Sequence, residues 1–227
     1  MRRLLAAGAA ALALVGCASA PPVTDHGDRS IEALASAVQG NAQQLEHEKD
    51  AHVRAALIAQ SRDDADACLA ARPLSGACHY LEAIALGMQA REHPAHVGPL
   101  LTQMLENLER AQALEPAYDS AGPARVRALV LARAPGWPLG PGDPVQAIGV
   151  ARSAVALRPD YPPNWLALAE AQAKGGAPTD ALDSYARARA AASALPDSSD
   201  RAQWLGEAER GIKRAGNRQA SRDNPQS

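Results

Sequence analysis

The sequence predicts an all-α protein built as a stack of about four helical hairpins and closed by a C-terminal capping helix. Three prolines in matching contexts are spaced 43 residues apart, and each follows a small residue by five positions: Pro73, Pro116 and Pro159 after Cys68, Ala111 and Ala154. The chain has no phenylalanine and only 3% aromatic residues, so alanine and leucine must form its core. A fixed period together with such a thin core indicates units that stabilise one another by stacking.

The unit after Pro159 carries the clearest repeat signature. Residues 162–195 resemble a tetratricopeptide repeat, with Trp165 and Leu168 on the first helix and small residues where the two helices cross. The two preceding units fit this pattern on their second helices, at 104–115 and 144–158, and less well on their first. The resemblance implies a tetratricopeptide-like α-solenoid, because an alanine at each crossing lets helix axes approach closely.

Local signals place several helix ends. Asp143 before Pro144 is typical of an N-cap followed by a proline at the first helical position. Pro162 opens the next helix, and Gly175 with Gly176 closes it.

The outer parts of the helical domain carry weaker signals. We expect a helix over 43–60, and a second helix whose first turn contains the acidic residues of 63–66. Residues 199–215 are predicted to form the capping helix. The helical domain therefore covers 30–215, and the polar residues 216–227 are predicted to be a disordered tail.

The first 29 residues resemble an exported lipoprotein precursor. Two arginines precede an uncharged run, and Leu14-Val15-Gly16-Cys17 is similar to a bacterial lipobox. We therefore expect a signal peptide at 1–16, lipidation at Cys17 and a flexible tether over 17–29; a plain secreted chain is the alternative. Alanine after the cysteine is similar to outer-membrane sorting, so the expected location is the outer membrane, facing the periplasm.

Two further cysteines, Cys68 and Cys78, flank Pro73 symmetrically. In a helix–turn–helix these positions can face each other, and an exported protein meets an oxidising compartment. They form a candidate disulfide, and two small buried thiols are the alternative.

The proline- and glycine-rich stretch 134–143 is predicted to be an insertion in a repeat. A tetratricopeptide unit has about 34 residues, so a 43-residue spacing leaves a surplus in each of two units. The surplus falls on 134–143 in one unit and on 89–98 in the other, between first and second helix, so both should emerge on one side of the stack. Trp137 in this stretch is either an exposed contact or a plug that folds back onto the helix ends.

Residues 60–195 resemble a narrower family on three stretches, 122–126, 134–143 and 154–161. They are similar to the T-component lipoproteins associated with tripartite ATP-independent periplasmic (TRAP) transporters. The resemblance implies a helical lipoprotein that partners a periplasmic solute-binding protein and is attached to the membrane through its lipid anchor. The alternative function is a tetratricopeptide scaffold for cell-envelope assembly without a small-molecule ligand.

The candidate partner- or ligand-binding residues are Tyr80, Arg125, Trp137 and Trp165. Tyr80, Arg125 and Trp165 are expected to line a groove made by first helices, with the Trp137 loop at its flank. Arg125 could hold a carboxylate of a ligand or partner; the alternatives are an internal ion pair with Glu82 or Glu115, or a solvated surface charge.

No enzymatic chemistry is predicted. The mature sequence lacks nucleophile-elbow, phosphate-binding and zinc-protease motifs. His93 and His96 have a metal-compatible spacing, but Pro94 separates them and no further ligand pattern completes a site. The net charge of −2 gives no basic excess for nucleic acid. We expect no cofactor, no metal and no catalytic residue.

Overall fold

The computed structural model describes residues 29–223, which form helices throughout. Within this range there are nine α-helices and one short 3₁₀ turn, at 94–96. The helices are α1 (Ile31–His47), α2 (Ala51–Ala71), α3 (Gly76–Glu92), α4 (Val97–Leu114), α5 (Tyr118–Arg133), α6 (Pro144–Leu157), α7 (Pro162–Lys174), α8 (Pro178–Ser193) and α9 (Ser199–Asp223). The predicted signal peptide, Cys17 and most of the predicted tether lie outside the described residues.

The helices pack as four consecutive hairpins, α1/α2, α3/α4, α5/α6 and α7/α8, with α9 against the last. The first helices of successive hairpins also contact one another along the stack: α1 contacts α3, and α5 contacts α7. The protein is thus an all-α, tetratricopeptide-like α-solenoid, as the sequence predicted. Among the described residues no helix has the length and apolar character needed to span a bilayer.

The three spaced prolines occupy equivalent corners. Each follows a residue that ends a second helix with nearly the same backbone angles: Arg72 (φ −141°, ψ 69°), Glu115 (φ −138°, ψ 72°) and Arg158 (φ −141°, ψ 75°). At each corner the amide of that residue donates to the carbonyl four positions earlier, on Cys68, Ala111 or Ala154. These three small residues have no solvent exposure, so the period marks identical turns where helices cross closely.

The boundary between α1 and α2 differs from the sequence prediction. The prediction of one helix over 43–60 is wrong, because the helical conformation is interrupted at Glu48–Asp50. The Glu48 carboxylate accepts from the amides of Lys49 and Asp50, and Asp50 then caps α2 by accepting from the amide of His52. The acidic residues near 64 consequently lie in the middle of α2, where Asp64 is buried and pairs with Arg29.

The C-terminal helix is longer than predicted. Helix α9 runs to Asp223, so a disordered tail from 216 is wrong for the residues up to 223; 224–227 lie outside the described part. An apolar stripe continues through Ile212 to Ala215, which packs against the last hairpin. Beyond this stripe, the Arg218 guanidinium donates to the Ala173 carbonyl of α7 and so ties the polar extension of α9 to the last hairpin.

The two surplus segments are accommodated differently. Between α5 and α6 the surplus forms a loop over 134–143, as predicted. Between α3 and α4 most of it lengthens the two helices, and only 93–96 connects them. Both connections lie at the same end of the stack, since the Leu139 carbonyl lies 3.7 Å from where a Cβ on Gly98 would stand.

Candidate functional site

The first helices of the last three hairpins, α3, α5 and α7, and the C-terminal helix α9 each present one stripe of residues to a shared groove. The groove-facing residues recur every three or four positions, as one face of a helix requires. They are Ile84, Gly87, Met88 and Arg91 on α3; Arg125, Val126, Leu129, Val130 and Arg133 on α5; Leu166, Glu170 and Lys174 on α7; and Glu207, Arg210, Arg214 and Arg218 on α9. Arg133 borders three adjoining cavities and so lies where they meet.

The part of the groove between α3 and α5 is an apolar cleft. These two helices touch over much less of their length than α5 and α7 do, and the gap between them encloses about 490 Å³. Its walls are aliphatic and methionine side chains of α3, α4 and α5, and Ala134 with Pro135 closes one end. The root of the 134–143 loop is therefore a wall of this cleft.

The 134–143 loop is rigidly folded on itself. The amides of Gly142 and Asp143 donate to the carbonyls of Pro135 and Leu131, both over 2.8 Å. A Cβ on Gly142 would stand 2.1 Å from the Ala134 carbonyl oxygen, so only glycine permits this approach. Asp143 caps α6 by accepting from the Gln146 amide, as predicted.

Trp137 projects from this loop into solvent. Its side chain is 90% exposed and that of Leu139 is 78% exposed, with Val145 nearby in the chain also exposed. The indole is exposed, so the interpretation of Trp137 as a plug is wrong, and its contact with a partner stays a prediction. The loop's internal hydrogen bonds hold its backbone without help from the indole, which leaves that ring free of the helix ends.

Tyr80 and Arg125 are both buried, although Arg125 borders the part of the groove between α5, α7 and α9. Tyr80 is 4% exposed and Arg125 is 9% exposed. The Tyr80 hydroxyl and Nη2 of Arg125 both donate over 2.8 Å to the same oxygen, Oδ2 of Asp119. Both side chains thus have internal partners, as the alternative of an internal ion pair for Arg125 predicts, although the partner is Asp119 and not Glu82 or Glu115. Tyr80 lines none of the three cavities, whereas ligand contact by Arg125 stays a prediction. Burial and the Asp119 charge raise the pKa of the Tyr80 hydroxyl, which stays protonated as a donor.

This buried network supports an unusual turn at the start of α5. Asp119, Ser120 and Ala121 all have positive φ, at 47°, 54° and 66°, a conformation that is unfavourable for residues other than glycine. Nη1 of Arg125 donates to the Asp119 and Ser120 carbonyls, each over 3.1 Å. Asn164 of α7 also donates to the Ser120 carbonyl. The side chains thus satisfy carbonyls that a right-handed helix would bond internally.

Trp165 also lies away from the groove. Its indole Nε1 donates to the Pro159 carbonyl over 2.8 Å, and the Arg187 guanidinium stands 5.2 Å from the ring centroid. The half-buried ring packs between the hydrophobic clusters of the third and fourth hairpins. Trp165 is therefore a packing residue, and its prediction as a groove contact is wrong.

Cys68 and Cys78 are bonded in the structure, with their Cα atoms 5.4 Å apart. Both are fully buried beside α1. The bridge ties α2 to α3 across the Pro73 corner. Within 29–223 no group of three or more potential ligand side chains could hold a metal ion.

The far end of the groove, formed by α7, α8 and α9, is cationic. A cavity of about 370 Å³ is bordered by five cationic side chains, Arg133, Lys174, Arg210, Arg214 and Arg218, and by two carboxylates, Glu170 and Glu207. Arg133 makes a bidentate pair with Glu170 through bonds of 2.8 and 2.6 Å. This pair raises the pKa of the guanidinium, which remains charged.

Apart from Arg125, sequence reasoning missed these groove residues. The signal was present as stripes of three- and four-residue spacing on α3, α5 and α9. Without the packing, however, a stripe facing a groove cannot be told from one facing a core. On α9 the stripe is arginine-rich, and it was read as part of a polar cap and tail.

Comparisons with known proteins bear on the fold. No family model and no curated protein matches this sequence. Among solved structures, the chain is similar to the crystal structure of MamA protein over 73% of this chain and 79% of that one. The identity is 14% and the TM-score is 0.47. Such a likeness says nothing of function, and the equivalent corners and stacked hairpins of this chain carry the fold assignment.

Proposed function

We propose that this protein is a non-enzymatic binding scaffold that engages another protein through the Trp137 loop and the groove beside it. The observation that carries the proposal is the exposure of Trp137 and Leu139 on a loop fixed by its own hydrogen bonds. Tryptophan is enriched at protein–protein contacts, and a rigid loop loses little conformational entropy when it binds. The neighbouring apolar cleft offers a receptor for the partner's side chains.

We further propose that the scaffold is a lipid-anchored periplasmic protein, attached to the outer membrane through Cys17. In this proposal its partner is the solute-binding subunit of a TRAP-type transporter. Support comes from the lipobox-like 14–17 stretch and from the resemblance over 60–195 to the T-component lipoproteins. A helical-repeat scaffold is consistent with that role because it presents a long surface without needing a catalytic site.

The test is site-specific photo-crosslinking in the native cells. A benzophenone amino acid is placed at Leu139, and the control position is Leu74, which is 82% exposed on the Pro73 corner. We expect a crosslinked protein from Leu139 that Leu74 does not give, identified by mass spectrometry as a periplasmic solute-binding protein. Trp137→Ala should weaken this product and leave the thermal midpoint within about 1 °C, since the exposed indole packs on nothing that folding requires.

The identity of the product decides between functions. A β-barrel assembly or wall-synthesis protein would favour the envelope-assembly scaffold and contradict the transport role. Equal labelling from both positions, or unchanged labelling in Trp137→Ala, would contradict the loop as a binding surface.

A further inference from the structure

The cationic end of the groove has the construction of an open pocket. Gly211 of α9 lies directly over Tyr185 of α8, so closely that a Cβ there would stand 2.3 Å from the ring. Tyr185 is almost fully buried, and Ala173 with Ala215 completes the lining with small side chains. The close approach of α9 to α8 makes a floor, and the small residues leave room above it for a ligand.

The charges around this floor are poorly neutralised within the protein. Four of the five cations, Lys174, Arg210, Arg214 and Arg218, form no ion pair with any carboxylate in the described part of the chain. Arg218 donates to the Ala173 carbonyl, and all four side chains are exposed. A local cationic excess on a chain of net charge −2 attracts anionic partners.

We propose that this pocket binds an acidic segment of the partner protein. Arg210, Arg214 and Arg218 recur every four residues, which places them about 6 Å apart along α9. Carboxylates at every fourth residue of a helix, or at every second residue of an extended strand, have nearly the same spacing. A row of cations therefore matches several carboxylates along one segment better than it matches a single small anion.

The apolar cleft indicates the chemistry of the rest of the bound segment. Arg133 borders both the cleft between α3 and α5 and the cationic pocket, so one bound chain can occupy both. The complementary segment carries aliphatic side chains for the cleft and acidic ones for α9. This inference rests on the proposed scaffold function and specifies the chemistry of what it binds.

The direct test uses synthetic peptides and the full-length protein. The probe is a fluorescein-labelled peptide with four leucines followed by three glutamates spaced four residues apart, and its control has glutamines at those positions. We expect binding by anisotropy to be at least about tenfold tighter for the glutamate peptide, and to weaken as salt rises.

Charge reversal locates the interaction. The double variant Arg210→Glu/Arg214→Glu should bind the acidic peptide about tenfold more weakly, because like charges would then face each other. The matched control is Arg152→Glu/Arg189→Glu, which changes the net charge equally at two exposed positions on α6 and α8. The control should bind as the wild type does, and circular dichroism checks that both variants are folded.

Three results would overturn the proposal: equal affinity for the two peptides, equal loss in the two double variants, or binding of dodecanoate where neither peptide binds. The last would identify the groove as a site for a small amphiphile.

The crosslinking at Leu139 separates this failure from failure of the scaffold itself. If the reversed variant still gives the crosslinked partner, only the acidic segment is contradicted. If the wild type gives none, the scaffold function fails.

Discussion

Asp119 and Arg125 form an ion pair across the first turns of α5, with 2.8 Å between Oδ2 and Nη2. Around it, Tyr80 of α3 and Asn164 of α7 complete a set of hydrogen bonds that joins three successive first helices. The pair holds a turn of three residues with positive φ. The same residues that sequence reasoning assigned to ligand contact thus fasten the repeats together.

Replacing the shared acceptor tests this role. Asp119→Ala leaves the nearly buried Arg125 and Tyr80 without their acceptor, and should lower the free energy of unfolding by about 2–3 kcal/mol. Urea denaturation measures it. Asp160→Ala, which removes an exposed carboxylate 3.4 Å from Arg158, should change it by less than about 0.5 kcal/mol. Equal effects of the two substitutions would show that the network has no special part in stability.

The approach of α9 to Tyr185 should be sensitive to one methyl group. Gly211→Ala places a Cβ inside the tyrosine ring's contact distance and should lower the free energy of unfolding by about 2–3 kcal/mol. Gly216→Ala, five residues later in the same helix, meets no atom within 4 Å. It should leave stability unchanged or raise it by up to about 1 kcal/mol, since alanine favours a helix. Thermal melts of the two variants should therefore move apart, and a Gly211 variant as stable as the wild type would contradict the close contact.

The Cys68–Cys78 bridge closes a short loop across the Pro73 corner, with a sequence separation of 10. By loop-closure entropy it should contribute about 2–3 kcal/mol to stability. The Cys68→Ala/Cys78→Ala double variant should lose this amount in urea. Because both residues are buried, a reductant should act on the wild type only when the protein is partly unfolded. Labelling of Cys68 or Cys78 by a thiol reagent after unfolding without reductant would contradict the bridge.

Glu82 should make stability depend on pH. Burial raises the pKa of its carboxyl, and the adjacent Arg62 guanidinium opposes the rise; Asp66 and His79 are the other charged or titratable groups nearby. Because the folded state holds this proton more tightly than the unfolded one, the contribution of Glu82 to stability is greatest below the ordinary pKa of glutamate and is lost as pH rises through the folded pKa. Glu82→Gln should flatten the decline in this range, measured by urea denaturation at a series of pH values. The exposed Glu106→Gln should keep the wild-type profile; a Glu82 variant that keeps it too would contradict this prediction.

Local and repeated features were predictable from the sequence. The 43-residue spacing of prolines located the corners, because a residue before proline leaves the helical conformation. The cap at Asp143 and the helix start at Pro162 follow from short-range chemistry in the same way. The break at 48–50 was missed because Glu48 and Asp50 act there through side-chain hydrogen bonds that a run of helix-forming residues conceals.

By itself, the sequence determined that helical hairpins repeat, where they turn, and that a proline- and glycine-rich loop is surplus to one of them. Only the tertiary structure decided which side chains meet solvent. Tyr80 and Arg125 find partners 39 residues away, in the next repeat, while Trp137 is left exposed on a loop that is held by its own backbone hydrogen bonds. Turns depend on neighbours in the chain, whereas exposure depends on which helices pack together.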